Sequence, residues 1–483
     1  MKHNYHKIAL IAVLCFGISL PSCKKSFLET IPKGKLVPVT TSDFSGLLSN
    51  TFIEQIGNVN VQVPMGDEVA AVDPYFSAAT LKAQRAFRYE AVIYDATADA
   101  DETLTPLKNI YNFNVVINGV PGSTGGTDAQ KLSVEASARA GRAWTYFLFI
   151  NYYGKPYNAT TAATDPGFPI ITAADVTETK FTRASVQAVY DFIISDLTTA
   201  IPNLPVQVSN RMLMSKSAAE AILGKVYMFM GRYADALNML NASITDMANL
   251  SIPARLYDYN VEFAAGGVFN PVSPIFGPPA ILLPNNVQSV YAKSITIPWT
   301  YTANEIVISP QTAALYGSTD LRLKFFTPAT FSTMTPYPVA GLMRKWGSSQ
   351  VPIGVLVPDL YLLRAEAKCR TGDLPGAKAD VETLRVKRMP AADAPVPAAT
   401  SADKMLLLQF ILNERIREYA AEGERWFDMR RLSVDPLFQG ITFTHPLYSA
   451  TGAITQYPLP AVRLTLQIPQ KLIDQNPGMV QNP

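Results

Sequence analysis

The sequence predicts a mainly α-helical protein with tetratricopeptide-like helical pairs, an irregular loop-rich portion and a few short strands. Three observations support this fold class. Several long stretches place apolar residues at helical spacing. Two of these stretches carry small residues at the spacing of a tetratricopeptide helix pair. Another segment is so rich in proline that it cannot continue a helix.

The composition is that of a globular protein and not of a nucleic-acid binder. The chain has 483 residues, of which 48% are hydrophobic and 17% are charged, and its net charge is +2. This length suffices for a large core, and no basic stripe suited to nucleic acid is present. After residue 22 the chain keeps one histidine, His445, and two cysteines. We therefore expect no closed zinc site, no disulfide framework and no cofactor.

The first 22 residues have the pattern of a signal peptide. Lys2 and Lys7 form a basic start, and residues 8–20 are an uncharged apolar run. A helix of this length is too short to span a bilayer, but it suits the apolar part of a signal peptide. No other run approaches the ~18 apolar residues of a membrane span, so we predict no transmembrane helix.

Cys23 follows this segment in a stretch, Leu20-Pro21-Ser22-Cys23, that resembles a bacterial lipobox. A thiol is the nucleophile that accepts a diacylglycerol, and several acyl chains on one residue give lasting attachment to a membrane. We predict that residues 1–22 are removed and that Cys23 becomes the lipidated first residue of the mature protein. The alternative is a secretory signal with an incidental cysteine.

Helical stretches dominate the mature chain. One helix is expected from about Pro106, because proline is tolerated in a first helical turn. The others are predicted at residues 134–157, 183–205, 217–244, 357–388 and 402–432. Within 217–244, the tetratricopeptide spacing is carried by Ala221, Gly224, Tyr227, Gly231, Tyr233 and Ala236, and residues 365–377 repeat its second half. The small residues let two antiparallel helices approach closely, and the glycines form the turns.

An irregular insert spans residues 248–345. It has five prolines between positions 271 and 284, which exclude a regular helix there. Residues 288–309 are expected to contain one or two short strands. A further proline- and alanine-rich segment, 389–402, is predicted to be a flexible loop.

Six stretches, in order, resemble segments of the SusD/RagB family of Bacteroidetes outer-membrane lipoproteins. They are "CKKSFLETIPKG", "RAWTYFLFINYYGKPY", "YDFIISDLTTAIPNLP", "DLYLLRAEAKCRTGD", "NERIREYAAEGERWFDMRRL" and "LQIPQKLIDQNPGMVQNP". The resemblance implies one SusD-like domain over residues 23–483. Its N-terminal part would cover about 23–240, the insert about 248–345 and the C-terminal part about 346–483.

The resemblance also implies a fold and a function. Four tetratricopeptide-like pairs would form a scaffold, and irregular loops opposite the scaffold would carry a ligand site. Members of this family bind glycans, or in some cases peptides, at the cell surface, and they pass the ligand to a SusC-like TonB-dependent β-barrel in the outer membrane. Lys24 and Lys25 stand where exported lipoproteins of this phylum often carry acids, so the sequence leaves the membrane face open.

The charged residues near the C-terminus allow two interpretations. Glu414, Glu418 and Glu422 recur at helical spacing, and Arg415 and Arg417 are interleaved with them. A pair of carboxylates could serve a glycosidase only across a sugar cleft. We favour an ion-paired helix that closes the scaffold, with Trp426 and Phe427 as core anchors. For His445 we favour a turn or packing role over a catalytic one.

Aromatic residues in irregular segments are the better candidates for ligand contacts. A sugar ring has an apolar face that stacks on aromatic planes and a rim of hydroxyls that bind polar side chains. Two segments supply both aromatic and polar side chains. The first contains Asp67, Asp73, Tyr75 and Phe76, and the second contains Trp299, Tyr301, Asn304 and Glu305. The dense aromatic run from Trp144 to Tyr153 is instead predicted to be mostly core packing.

The sequence thus favours an oligosaccharide-binding lipoprotein with no catalytic role, anchored in the outer membrane and facing the cell surface. Two alternatives belong to other classes. One is a surface glycoside hydrolase, and the other is a tetratricopeptide adaptor or peptide-binding protein without a glycan ligand. The sequence does not identify the ligand.

Overall fold

The computed structural model describes residues 37–49 and 55–483 of the chain. The predicted signal peptide, the lipidated Cys23 and the two lysines that follow it lie outside these residues. Within the described part, no helix combines the length and the apolar character that crossing a membrane requires.

Helices make up most of the regular structure, and the predicted mainly α-helical fold is confirmed. The described residues contain fifteen α-helices. They are α1 (Thr41–Leu48), α2 (Leu81–Phe87), α3 (Asp101–Gly119), α4 (Asp128–Tyr153), α5 (Val186–Ala200), α6 (Lys216–Phe229), α7 (Tyr233–Met247), α8 (Tyr259–Glu262), α9 (Pro310–Ala313), α10 (Val357–Thr371), α11 (Leu374–Arg385), α12 (Ala398–Ala402), α13 (Lys404–Tyr419), α14 (Glu424–Ser433) and α15 (Gln470–Gln475).

Neighbouring helices pack as pairs, as the small-residue spacing predicted. Helix α4 packs on α5, α6 on α7 and α10 on α11, and α10 also contacts α7 and α13. At Gly224 a Cβ atom would lie 2.8 Å from Cγ of Leu240, so the close approach of α6 and α7 requires glycine. Gly231 and Gly372, in the turns of two pairs, have φ angles of 72° and 99°, which are costly for other residues.

Three predictions need correction. Helix α3 begins at Asp101 and not at Pro106, which lies inside the helix. Its start is favoured by two acids in the first turn, where the helix dipole stabilises negative charge. The acids of residues 402–432 were expected on one helix, but this stretch contains two. The predicted loop at 389–402 ends in the short helix α12.

The strands are short, and five of the eleven in the described residues lie in the insert. They are β1 (Gln55–Asn58), β2 (Val69–Val72), β3 (Ser289–Tyr291), β4 (Ser294–Thr296), β5 (Ile306–Ile308), β6 (Phe326–Thr327), β7 (Arg344–Lys345), β8 (Gln350–Pro352), β9 (Val355–Leu356), β10 (Thr444–Tyr448) and β11 (Ile454–Pro458). Residues 288–309 thus contain three strands, where one or two were predicted.

A four-stranded sheet brings distant parts of the chain together. Its strand order is β11-β10-β2-β5. Strand β2 runs parallel to β10 and antiparallel to β5. The sheet therefore joins the N-terminal part, the insert and the C-terminal part of the chain at one place.

The aromatic run of α4 is core, as predicted. Tyr146, Phe149 and Tyr153 are buried, and the Phe149 ring stacks on Phe168 at 4.3 Å between centroids. This cluster fixes α4 among its neighbours and does not supply ligand contacts.

Candidate functional site

The two segments predicted to contact a ligand meet at one end of the four-stranded sheet. Strand β2 ends where its antiparallel partner β5 begins, and the Val72 N–H donates to the Glu305 carbonyl at 3.1 Å. Residues 73–76 therefore leave the sheet beside residues 299–305, which enter it. The sequence places these segments more than 200 residues apart, and the strand pairing brings them together.

A third segment, residues 329–337, completes this site, and the sequence analysis missed it. The Phe331 N–H donates to Oδ1 of Asn304 at 2.6 Å, and the Tyr337 hydroxyl donates to the Asn304 carbonyl at 3.2 Å. The Tyr337 ring packs edge-on against Tyr75 at 6.5 Å. Asn304 therefore holds residues 329–337 against the sheet through hydrogen bonds to its side chain and its carbonyl. The sequence feature that could have identified this segment is its pair of aromatic residues in a stretch rich in threonine and proline.

Three aromatic side chains form a partly exposed surface here, which we call the aromatic patch: Phe276, Tyr301 and Phe331. Phe276 is 53% exposed and Tyr301 is 43% exposed. The Phe331 ring lies between them, 6.0 Å from Phe276 and 6.1 Å from Tyr301. Large aromatic side chains usually bury most of their surface, so a contiguous exposed group of them marks a binding surface.

The buried Arg344 supports the patch from below. Its guanidinium lies 5.5 Å from the Phe331 ring centroid, and its Nη1 donates to the Tyr301 carbonyl at 2.7 Å. Burial lowers the pKa of Arg344. Because the cation contacts both the ring of Phe331 and the backbone of Tyr301, it orients two of the three patch residues.

Two of the predicted ligand-contacting residues are instead core residues. Phe76 and Trp299 are each 1% exposed. The Phe76 ring packs against Phe87 at 5.0 Å, and Nε1 of Trp299 donates to Oε1 of Glu305 at 3.0 Å. A sugar ring has no access to a buried plane, so the prediction of direct contacts by these two residues is wrong. Both residues lie in irregular segments of the sequence, but their rings are buried in the hydrophobic core.

The two predicted aspartates lie at opposite ends of β2. Asp73 is at the patch end, where its Oδ1 accepts from the backbone N–H and the hydroxyl of Ser77 at 3.1 and 2.7 Å. Asp67 precedes the strand and forms a two-point ion pair with Arg425 at 2.5 and 3.0 Å. Asp73 therefore lies at the same end of the sheet as Tyr75, Tyr301 and Asn304, whereas Asp67 links β2 to helix α14.

Glu68 is buried beside Asp67, and its ionisation is expected to destabilise the fold. Burial first, and the charge of Asp67 second, raise the pKa of Glu68 from 4.5 to about 8. Between these two pH values the unfolded chain gives up this proton and the folded chain keeps it. The stability contributed by the neutral carboxyl is thus complete below pH 4.5 and is lost as the pH rises to 8.

Replacing Glu68 by Gln removes this ionisation, and its effect is measurable by denaturant unfolding. Relative to wild type, the free energy of unfolding of Glu68→Gln should rise between pH 5 and pH 8 by roughly 1–4 kcal/mol. Glu178→Gln, in an exposed loop, should show a constant difference. A Glu68→Gln difference that stays constant with pH would show that this carboxyl is ionised in the folded protein.

Gly277 holds the backbone next to Phe276 against Trp346. It has a φ of 74°, and a Cβ atom there would lie 2.4 Å from Cβ of Trp346. Gly277→Ala should lower the free energy of unfolding by about 1–3 kcal/mol through backbone strain and overpacking. The matched control is Gly317→Ala, where an added Cβ meets no atom within 4 Å. Equal thermal melting temperatures for the two variants would contradict this reading.

The C-terminal acids form buried ion pairs, which confirms the interpretation preferred from the sequence. Glu414 accepts from Arg322 at 2.6 Å, from Arg417 at 2.8 Å and from Arg385 at 2.9 Å. Burial alone would raise the pKa of Glu414, but these arginines lower it far below its usual range. Trp426 is fully buried. Glu414 and Glu418 lie on α13, whereas Glu422 lies in the turn at residues 420–423. The three acids therefore do not share one helix, as had been expected.

His445 has a packing role, as favoured, although it lies in strand β10 and not in a turn. Its ring is stacked between Phe87 and Tyr89 at 4.4 and 4.3 Å. Burial lowers the pKa of His445, so the neutral ring is favoured. In the described residues no cluster of three or more histidine, cysteine, aspartate or glutamate side chains is placed to hold a metal ion.

Two family models match the chain, and together they cover more than half of it. The model described as "SusD family" matches residues 357–483. The model described as "Starch-binding associating with outer membrane" matches residues 26–228. The comparison with curated protein sequences gave no match.

Solved structures of the same fold were also found. A SusD superfamily protein from Bacteroides thetaiotaomicron is 20% identical with a TM-score of 0.68, over 92% of this chain and 100% of that chain. A SusD superfamily protein from Bacteroides vulgatus gives the same identity and TM-score over 92% and 99%. A laminarin-binding SusD-like protein is 18% identical with a TM-score of 0.62, over 92% and 99%. From the family matches and the shared fold, the chain belongs to the SusD family of carbohydrate-binding proteins.

Proposed function

We propose that the protein binds an oligosaccharide at the aromatic patch and delivers it, chemically unchanged, to a SusC-like TonB-dependent transporter of the outer membrane. The observation that carries this proposal is the patch itself. Three aromatic rings lie side by side, two of them are about half exposed, and all of them come from the irregular insert. The kind of ligand follows from the contacts that such a surface can make.

The patch suits a sugar chain because it offers both kinds of contact that a sugar requires. The exposed rings present flat apolar faces to the C–H face of a pyranose. Polar groups border them, including the Asp73 carboxylate, the Asn304 amide and the exposed hydroxyls of Thr333 and Thr335. Rings separated by about 6 Å can stack on successive parts of one ligand. Binding to such an open surface is reversible, as a delivery step requires.

Membrane attachment through Cys23 supports delivery to a transporter. The matched starch-binding family is described as associating with the outer membrane. A lipid anchor at Cys23 would hold the binding surface near a barrel in the same membrane and raise the effective concentration of one for the other. The lipid anchor, the cell-surface orientation and the SusC-like partner are parts of this proposal.

Binding without hydrolysis is supported by how the carboxylates near the patch are used. Glu305 accepts from Nε1 of Trp299 with one oxygen and from the Asn304 N–H with the other, both at 3.0 Å. The Asp73 carboxylate is bonded to Ser77. A glycosidase needs a carboxylic acid and a second carboxylate facing each other across the sugar, whereas these groups hold the protein backbone and core in place.

The proposal is tested with soluble protein that lacks residues 1–23, on a panel of polysaccharides that includes laminarin and starch. Retardation in affinity gels containing one of these glycans is expected, with no increase in reducing ends on prolonged incubation. Sustained release of reducing ends would establish the glycoside hydrolase alternative. No retardation by any glycan would favour the adaptor alternative.

A further inference from the structure

A cavity of about 160 Å³ is lined by residues other than the three of the aromatic patch, although Thr300 and Pro278, close in sequence to Tyr301 and Phe276, belong to its lining. Consecutive residues of a strand point in opposite directions. Arg344 faces the patch, where it contacts Tyr301 and Phe331. Lys345 faces the cavity, which it lines together with Phe326 and Glu422. The cavity is therefore separate from the proposed oligosaccharide surface.

The walls of the cavity are aromatic, and its charges are paired. Seven aromatic rings line it: Tyr257, Tyr259, Phe269, Phe325, Phe326, Trp346 and Tyr419. Nζ of Lys345 lies 2.7 Å from Glu422, and Nη1 of Arg322 lies 3.0 Å from Glu418. Since each of these wall charges has an opposite partner, the cavity favours a neutral polar molecule over an ion.

Two buried hydrogen-bonding groups on lining residues have no partner among the residues that the structure describes. They are the hydroxyl of Tyr419 and Nε1 of Trp346, and neither atom is exposed to the cavity in this structure. Tyr419 is only 4% exposed, and burial raises the pKa of Tyr419 well above its usual value, so the hydroxyl keeps its proton. A buried polar group without a partner costs ~1–3 kcal/mol. A ligand that carries hydroxyls would satisfy both groups once a small adjustment of the wall exposes them.

The size of the cavity and its access limit the ligand further. Its volume of about 160 Å³ exceeds the ~30 Å³ of one water molecule but lies below the ~300 Å³ at which pockets for larger ligands begin. Three of its lining residues, Pro279, Ala280 and Gln350, are exposed, so it opens at the protein surface. One sugar ring with its hydroxyls fits this volume.

We propose that this cavity is a second binding site, which takes a neutral polyhydroxylated molecule of the size of one sugar ring. The aromatic walls contact the C–H faces of the ring. The Tyr419 hydroxyl and the Trp346 N–H bond to its oxygens after a small adjustment of the wall. The site is independent of the aromatic patch, so it stands whether or not the patch binds an oligosaccharide.

The test titrates the purified protein with D-glucose, D-galactose, D-mannose, D-xylose and N-acetyl-D-glucosamine, using saturation-transfer NMR. At least one of these sugars should bind the wild type. Ala280→Trp, which fills the entrance from an exposed position, should abolish that binding. Tyr111→Ala, at an exposed position on helix α3, should leave it unchanged. Failure of all five sugars to bind, or binding that survives Ala280→Trp, would overturn the proposal.

Tyr419→Phe separates a ligand contact from a structural role. It removes a hydroxyl that has no partner in the part of the chain that the structure describes, so the melting temperature without sugar should stay the same or rise. The affinity for the bound sugar should fall about five-fold, which corresponds to one lost hydrogen bond. An unchanged affinity would contradict the assignment of the Tyr419 hydroxyl to this site.

Discussion

Glu414→Gln is expected to lower the free energy of unfolding by about 3–5 kcal/mol, because it removes the charge at the centre of a buried network. Three arginines form ion pairs with this carboxylate. Two of them are Arg322 at 2.6 Å and Arg385 at 2.9 Å. Arg417 is held by the same carboxylate at 2.8 Å. Glutamine has the same size but no negative charge, so it leaves positive charge in a region that excludes water. Urea unfolding followed by circular dichroism measures the loss.

The matched control is Glu90→Gln, which breaks an exposed ion pair. Glu90 lies 3.3 Å from Arg88, and both side chains are at least a third exposed. Water screens such a pair, so the control should cost less than about 1 kcal/mol. If Glu414→Gln and Glu90→Gln cost the same, the buried acids do not stabilise the C-terminal part.

The effect of Glu414→Gln should depend on pH, because the pKa of Glu414 is lowered in the folded protein. The pKa of Glu414 is depressed in the folded state, so its contribution is present above the unfolded pKa of ~4.3 and is lost as the pH falls toward the folded value. The difference in stability between wild type and Glu414→Gln should therefore shrink below about pH 4. A difference that grows on acidification would contradict the ion-pair account.

Tyr301→Ala should weaken oligosaccharide binding by roughly ten-fold or more, because truncation of an aromatic anchor in a binding contact commonly has this effect. Tyr301 is 43% exposed, and its ring neighbours Phe331 at 6.1 Å. The loss should appear in calorimetric titration with whichever glycan the panel identifies. The melting temperature should change little, because an exposed side chain contributes little to stability.

Tyr111→Ala provides the comparison for this variant. Tyr111 is 39% exposed and lies on helix α3, outside the patch. It removes the same side chain at a similar exposure, so its affinity for the glycan should equal that of wild type. Equal weakening by both substitutions would indicate a general effect on the protein, and no weakening by Tyr301→Ala would remove that residue from the site.

The helices were predictable from the sequence because their signals are local. Apolar residues at helical spacing predict α4, α6 and α10. Gly224 and Gly231 predict close helix packing and a turn. The start of α3 was misplaced because Pro106 suggested a first turn, although two acids precede it at Asp101 and Glu102. The break between α13 and α14 was missed because acids and arginines continue across it without a change of spacing.

The candidate site was only partly predictable because long-range pairing creates it. The sequence identified Tyr75 and Tyr301 as candidates, but it could not show that β2 and β5 pair and so bring their segments together. It also could not tell an exposed ring from a buried one within a segment. Trp299 and Tyr301 are two residues apart, yet one is 1% exposed and the other 43%. Phe331 was missed because its own segment carries no periodic signal.

The binding surface can be located by a crystal structure of the protein with the oligosaccharide that binds most tightly in the glycan panel. We expect a sugar ring stacked on Tyr301 or Phe331, with Phe276 against the same chain and sugar hydroxyls within hydrogen-bond distance of Asp73 or Asn304. An oligosaccharide bound along the paired helices, with the rings of the aromatic patch free of contact, would contradict it.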